Sequence, residues 1–202
     1  MSVQIKICGL FRTEDAQAAN AAMPDYAGFV FVESSRRNVA PELAARLRAA
    51  LHPAIRTVGV FVNAPLWQIS ALYQKGLFSI AQLHGGEDAL FVKALRSACP
   101  GLSIWQAYKM ETETDRQNAQ KSAADLVLLD GGAGEGKAFR WELAEHFPRP
   151  FFLAGGLTPD TIPQAAARLR PQGVDLSSGV ETDGRKDAEK IMAAVAAARR
   201  QV

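Results

Sequence analysis

Eight short apolar runs recur along this chain of 202 residues, and stretches of helical character separate most of them. The runs fall at 3–7, 26–31, 56–62, 78–82, 102–107, 125–129, 150–154 and 173–176. Their length and composition are those of buried strands. Helix-like stretches lie between them at 41–51, 65–75, 87–98, 159–169 and 186–199. Pro41, Pro65 and Pro159 suit first-turn positions, where a missing N–H costs nothing. The connections near 114–122 and 141–146 read as short or irregular. Such alternation predicts a parallel sheet with crossover helices. Eight units, the last ending in a helix, favour closure into a (βα)8 barrel over an open sheet. No linker or low-complexity segment divides residues 1–202, so a single barrel domain is expected.

Composition narrows the partners. A hydrophobic content of 48% is ample for a core, and the net charge of +2 is slight. No Lys/Arg-rich run suggests a nucleic-acid surface. Residues 1–20 lack an apolar stretch after a basic start, and no apolar span reaches membrane length. Cys8 and Cys99 make no disulfide framework. The expected compartment is the cytoplasm, with both thiols reduced. Monomer and homodimer both stand open.

A barrel places its active site at the C-terminal ends of its strands. Strand alternation then sorts the side chains. Lys6 and Cys8 share one face, with Ile5 and Ile7 turned to the helices. Gln82 aligns with His84, Leu128 with Asp130, and Asp175 with Ser177. Polar residues therefore converge on one mouth. Cys8, where Gly9 breaks the first strand, is either a reactive thiol or a small buried one. Gly155-Gly156 after strand seven and Ser177-Ser178-Gly179 after strand eight form two loops with bare backbone N–H groups. Such loops suit an anion, and a phosphate site after strands seven and eight is frequent in barrels. The alternative for the two glycines is a tight turn. A phosphorylated small molecule is the ligand these loops imply.

The chain resembles the phosphoribosylanthranilate isomerase family from its first strand to its last. The resemblance rests on Lys6-Ile7-Cys8-Gly9-Leu10, Gly28-Phe29-Val30-Phe31, Ser35-Arg36-Arg37-Asn38-Val39 and Val58-Gly59-Val60-Phe61. It continues through Gln82-Leu83-His84-Gly85, Leu128-Leu129-Asp130, Leu153-Ala154-Gly155-Gly156-Leu157 and the segment Gly173 to Glu181. It implies a cofactor-free Amadori rearrangement in tryptophan biosynthesis. The residue matching Cys8 is the family's base and the one matching Asp130 its acid. Such a base needs a lowered thiol pKa, to which Lys6 could contribute, and such an acid needs a pocket that disfavours its charged form. Arg37 matches the arginine that contacts substrate, and its fork fits a carboxylate. Arg36 reads as a solvated neighbour. His84 either lines the pocket or is a satisfied loop histidine. Asp175 either bonds the substrate's amine or a ribose hydroxyl, or supports its neighbouring strands. His52, His146 and Cys99 read as structural.

Three departures from the family accompany the match. Arg36 stands where the family usually has proline, Phe139-Arg140-Trp141 replaces Phe-Asp-Trp, and the glycine-rich loop 131–137 is short. Two rivals remain. A histidine-pathway phosphoribosyl isomerase would carry aspartate in place of Cys8 and need a second phosphate grip, for which only Gly85-Gly86 offers. A non-catalytic phosphosugar-binding barrel would need neither Cys8 nor Asp130.

Overall fold

The computed structural model describes residues 3–132 and 141–200. Eight parallel strands form a closed barrel in sequence order, with β8 pairing back onto β1. These are β1 Gln4–Cys8, β2 Tyr26–Val30, β3 Arg56–Phe61, β4 Ile80–Leu83, β5 Ser103–Lys109, β6 Leu126–Asp130, β7 Phe151–Ala154 and β8 Gly173–Leu176. Seven helices are described: α1 Thr13–Ala22, α2 Pro41–Ala50, α3 Leu66–Gln74, α4 Ala89–Ala98, α5 Glu113–Gln120, α6 Ile162–Leu169 and α7 Ala188–Arg199. Every strand overlaps its expected run, with ends displaced by up to two residues.

Alternation divides each strand between two cores. Ile5, Ile7, Phe29, Leu83 and Leu129 are buried outward against the helices. Tyr26, Val58, Ile80, Trp105, Leu128 and Phe152 fill the barrel interior. Tyr26 meets Trp105 and Phe152 edge to face and Trp105 lies tilted on Phe152, with ring centroids 5.0 to 5.7 Å apart. A side chain at Gly173 would strike the Phe152 ring, so glycine there admits this plug. The aromatic plug fills the lower barrel and sets the floor of the cavity above it.

The helical connections depart from expectation at α5 and at two of the prolines, while the connection after β6 is short and irregular as expected. The segment expected to be irregular is α5, which its polar composition concealed. Its start is a capping box: Thr112 Oγ1 accepts from Asp115 N–H at 3.2 Å, and Asp115 Oδ2 accepts from Thr112 N–H at 2.8 Å. The connection after β6 includes a single 3₁₀ turn, Trp141–Leu143; Ala133 to Arg140 lie outside the described residues, including most of the glycine-rich loop. Pro41 does open α2, but Pro65 is the N-cap of α3 and Pro159 precedes α6, where Pro163 takes the first-turn position.

A further element follows β8. A 3₁₀ turn, Ser178–Val180, leads into a two-stranded hairpin of β9 Glu181–Thr182 and β10 Arg185–Lys186. Asp183 and Gly184 make its turn with φ of 50° and 75°, the left-handed pair that an Asp-Gly hairpin favours.

Candidate active site

A cavity of about 330 Å³ opens at the C-terminal mouth of the barrel. Cys8, Arg37, Gln82, His84, Asp130 and Asp175 all line it. Gly155 and Gly156 after β7, and Ser177, Ser178 and Gly179 after β8, line it as well. Val30, Val32, Val60 and Val62 supply an apolar wall. His52, His146 and Cys99 do not border it; Cys99 is buried, its Sγ 3.1 Å from Ser70 Oγ.

Under the cavity lies a buried ion pair. Lys6 Nζ donates to Asp175 Oδ2 at 2.8 Å, with side chains 0% and 7% exposed. Burial favours neutral Lys6, but Asp175 and then Cys8 outweigh it and hold the ammonium charged. Removing one partner of such a pair costs about 3–5 kcal/mol, because it strands the other charge. Asp175 thus does support the strands, through Oδ2. Its Oδ1 and Gln82 Oε1 are buried acceptors with no partner among the described residues. Both residues face the cavity, so a bound N–H or O–H can satisfy these atoms.

Cys8 is packed with Val30 and Val60 at the end of β1. Burial pushes its thiol pKa up, by more than the Lys6 ammonium pulls it down. The direction is therefore the reverse of the lowered pKa expected of a base. The partner position across β1 and β2 is Gly28. A Cβ built there would sit 2.8 Å from Cys8 Sγ and 3.1 Å from its Cα. Gly28→Ala is expected to displace the thiol and lower kcat by about 10²-fold, the effect of an ångström-scale misplacement. Steady-state kinetics alongside a melting curve checks this; wild-type kcat would show that the thiol has room to move.

Asp130 ends β6. Its Oδ1 accepts from Gly132 N–H at 2.9 Å, and His84 Nε2 lies 3.1 Å from its Oδ2. Burial pushes the carboxyl pKa up, but His84, the Gly132 amide and Lys109 outweigh it, so the value falls below the ordinary range. This too reverses the expectation of a pocket that disfavours the charge. Both readings of His84 meet here: it borders the cavity and its Nε2 is satisfied by Asp130. Gly155, at φ 92°, abuts Gly131 N and Asp130, and any side chain there would push into the carboxylate.

Arg37 holds an unexpected partner. Its Nε and Nη2 donate to Glu181 Oε1 and Oε2 at 2.7 and 2.9 Å, so this edge of the fork is already engaged within the protein. Arg36 is no isolated solvated arginine either: it pairs with Glu181 while its side chain stays 57% exposed. Lys186 Nζ, from β10, donates to the same carboxylate at 2.7 Å. Burial pushes the Glu181 pKa up, but Arg37 and Lys186 outweigh it and pull the value down to about 2. Sequence reasoning passed over Glu181 and Lys186. The available signal was Asp183-Gly184, a two-residue hairpin turn that carries both back to the mouth.

The two loops interlock. A Cβ at Gly179 would run into the Leu157 carbonyl, so the chain after β8 passes tightly over the chain after β7. Gly155 and Gly156 both have positive φ, 92° and 66°. Ser177 Oγ donates to the Cys8 carbonyl at 3.1 Å and ties this region to β1. Among the described residues no three His, Cys, Asp or Glu side chains gather as a metal site.

The sequence pattern of the N-(5'-phosphoribosyl)anthranilate isomerase family matches residues 5–197. The chain belongs to this family. A phosphoribosylanthranilate isomerase of Lacticaseibacillus casei (strain BL23) is 44% identical over 190 residues, covering 94% of this chain and 91% of that one. The phosphoribosylanthranilate isomerase structure from Thermotoga maritima superposes with a TM-score of 0.89 at 33% identity, covering 97% and 98% of the two chains. A phosphoribosylanthranilate isomerase structure in complex with reduced 1-(o-carboxyphenylamino)-1-deoxyribulose 5-phosphate gives a TM-score of 0.85 at 32% identity over the same shares. The protein is thus a phosphoribosylanthranilate isomerase of tryptophan biosynthesis, built on a (βα)8 barrel.

Proposed function

We propose that Cys8 and Asp130 are the base and the acid of this isomerase. The observation that carries the assignment is their placement on β1 and β6 around one cavity, with the interlocked loops after β7 and β8 on its rim. The reaction converts N-(5'-phosphoribosyl)anthranilate to the 1-(2-carboxyphenylamino)-1-deoxyribulose 5-phosphate. Protonated Asp130 gives its proton to the ribose ring oxygen, the C1–O bond breaks, and an iminium ion forms. The Cys8 thiolate then removes the proton from C2. The resulting enolamine tautomerises to the ketone. Lys6 steadies the thiolate from below and Asp175 holds Lys6 in place. His84 Nε2, 3.1 Å from Asp130 Oδ2, hydrogen-bonds this carboxyl and fixes its orientation.

The rest of the cavity fits the rest of this substrate. The valine wall suits the anthranilate ring. The unpartnered Asp175 Oδ1 and Gln82 Oε1 accept from the substrate's amine and hydroxyls. Amides near Gly155, Gly156, Ser177, Ser178 and Gly179 take the phosphate. Gly156→Val puts a branched side chain where the anion sits and requires it at positive φ. It is expected to raise KM by about 10²-fold, the loss of a charge-assisted contact or two. Unchanged KM would place the phosphate elsewhere.

Arg37 recognises the anthranilate carboxylate with the N–H groups that Glu181 leaves free. Arg37→Lys keeps the charge but loses the planar fork, and should weaken substrate binding by about 1.5–3 kcal/mol. Arg36→Ala should cost much less. Equal effects in a KM comparison would reject Arg37 as the clamp.

One feature separates this reading from the histidine-pathway alternative. Gly85 N–H donates to Glu87 Oε2 at 2.8 Å and Gly86 N–H to Asn63 Oδ1 at 2.7 Å. These amides serve their own loops and offer no second phosphate grip. The test is a coupled assay with anthranilate and phosphoribosyl pyrophosphate, following loss of the fluorescence of the substrate so formed. Sustained conversion supports the reading, and binding without turnover supports a non-catalytic barrel. We place this activity on one barrel domain in the cytoplasm. Family matches spanning nearly the whole chain support the single domain. Two free cysteines and the absence, among described residues, of a helix able to cross a membrane support the compartment.

A further inference from the structure

We propose that Glu181 is a positioning residue: it orients Arg37 for the substrate carboxylate, and through Lys186 it links that end of the site to the phosphate-side loop. The inference rests on the assignment of Arg37 just made.

Glu181 is only 4% exposed at its side chain and meets Arg36, Arg37 and Lys186 together. One partner would balance one buried carboxylate. Three leave surplus positive charge at the rim of the cavity. A carboxylate that served the fold alone would gain nothing from that surplus, whereas a substrate with a carboxylate and a phosphate would. The geometry of Arg37 adds direction to charge. A guanidinium has five N–H donors in a rigid fork. Glu181 takes one from Nε and one from Nη2, so the other three remain on the far edge. The stem of Arg37 runs over Gly9, at φ 79°, where any Cβ would collide with Arg37 Cδ. Stem and head are thus both confined, and Arg37 borders the cavity.

The same carboxylate reaches the other end of the site. Lys186, 0% exposed, bridges Glu181 and the Ser177 carbonyl, the latter at 3.0 Å. Lys190 Nζ donates to the Glu181 carbonyl at 2.8 Å and fixes the start of the hairpin. Arg36 covers the outside, where its guanidinium lies over Gly184 with no space for a side chain at that turn. The residue found where the family usually has proline therefore clamps the hairpin from solvent.

A double-mutant cycle tests this, using Glu181→Gln, Arg37→Ala and both together. The probe is reduced 1-(o-carboxyphenylamino)-1-deoxyribulose 5-phosphate, with kcat measured in parallel. Glu181→Gln is expected to raise its Kd about tenfold while kcat stays within about threefold, and in the Arg37→Ala background to raise Kd less than about twofold. Equal cost in both backgrounds would mean that Glu181 acts only on the fold and would overturn the proposal. A kcat loss without a Kd change would overturn it too. If Glu181→Gln does not fold, Glu181→Asp enters the same cycle. It keeps the charge but shortens the reach, and should fold with a raised Kd that depends on Arg37. Wild-type affinity in Glu181→Asp would overturn the proposal. An inactive wild-type chain would instead reject the function itself, whereas an active one with an additive cycle rejects only the role of Glu181.

Discussion

Cys8→Ala is expected to lower kcat by about 10²- to 10⁴-fold, the usual contribution of a positioned proton transfer, with little change in KM. Cys8→Ser should be nearly as damaging, because a hydroxyl supplies far less conjugate base than a thiol near neutral pH. The thiol is small and sits at a strand end beside Val30 and Val60, so neither variant should unfold. Thermal melting should shift by a few degrees at most, on the scale of about 1 kcal/mol for one lost buried group in a chain of this size. Near-normal turnover in folded Cys8→Ala would remove the thiol from the mechanism and leave a binding protein.

Asp130→Asn should cost kcat about 10²-fold or more, and its pH profile should say more than its rate. The reaction needs Asp130 protonated and Cys8 ionised. Asp130 lies below its ordinary pKa and Cys8 above it. Near neutral pH the dominant form is therefore carboxylate with thiol, and the productive form is its minor tautomer. For kcat/KM the wild-type curve should be a bell whose acid limb follows the Asp130 carboxyl and whose alkaline limb follows the Cys8 thiol. In Asp130→Asn only the thiolate requirement survives. Residual kcat/KM should then climb with pH across the range where wild-type activity is level, and level off where wild-type activity declines. A variant that instead keeps the wild-type acid limb would show that Cys8 ionises first, with a lowered pKa that substrate or motion confers.

Much of this architecture could be read from the residues, because period-two burial and strand length are local properties. The runs at 3–7 and 173–176 predicted strands that the structure pairs directly, Lys6 beside Asp175. Convergence of Cys8, His84, Asp130 and Asp175 followed from the same alternation. Helix α5 stayed hidden because eight polar residues or alanines carry no apolar stripe, and its Thr112–Asp115 cap is the only local mark. The pKa directions were not legible for a different reason. They depend on a balance between burial and neighbours brought from other strands, His84 for Asp130 and Lys6 for Cys8. The partner of Arg37 was likewise 144 positions away along the chain.

The seam between β1 and β8 also fixes when this enzyme can begin to work. Lys6 and Cys8 are synthesised well before Asp175, Ser177 and Glu181. Until the final strand emerges, Lys6 has no counter-charge, Arg37 has no carboxylate to steer it, and the loop over Gly179 does not exist. Every translation fragment that stops before the eighth strand would bear a thiol and an ammonium without a pocket. Such fragments lack both the counter-charge of Lys6 and the carboxylate that holds Arg37, so activity waits on closure of the barrel.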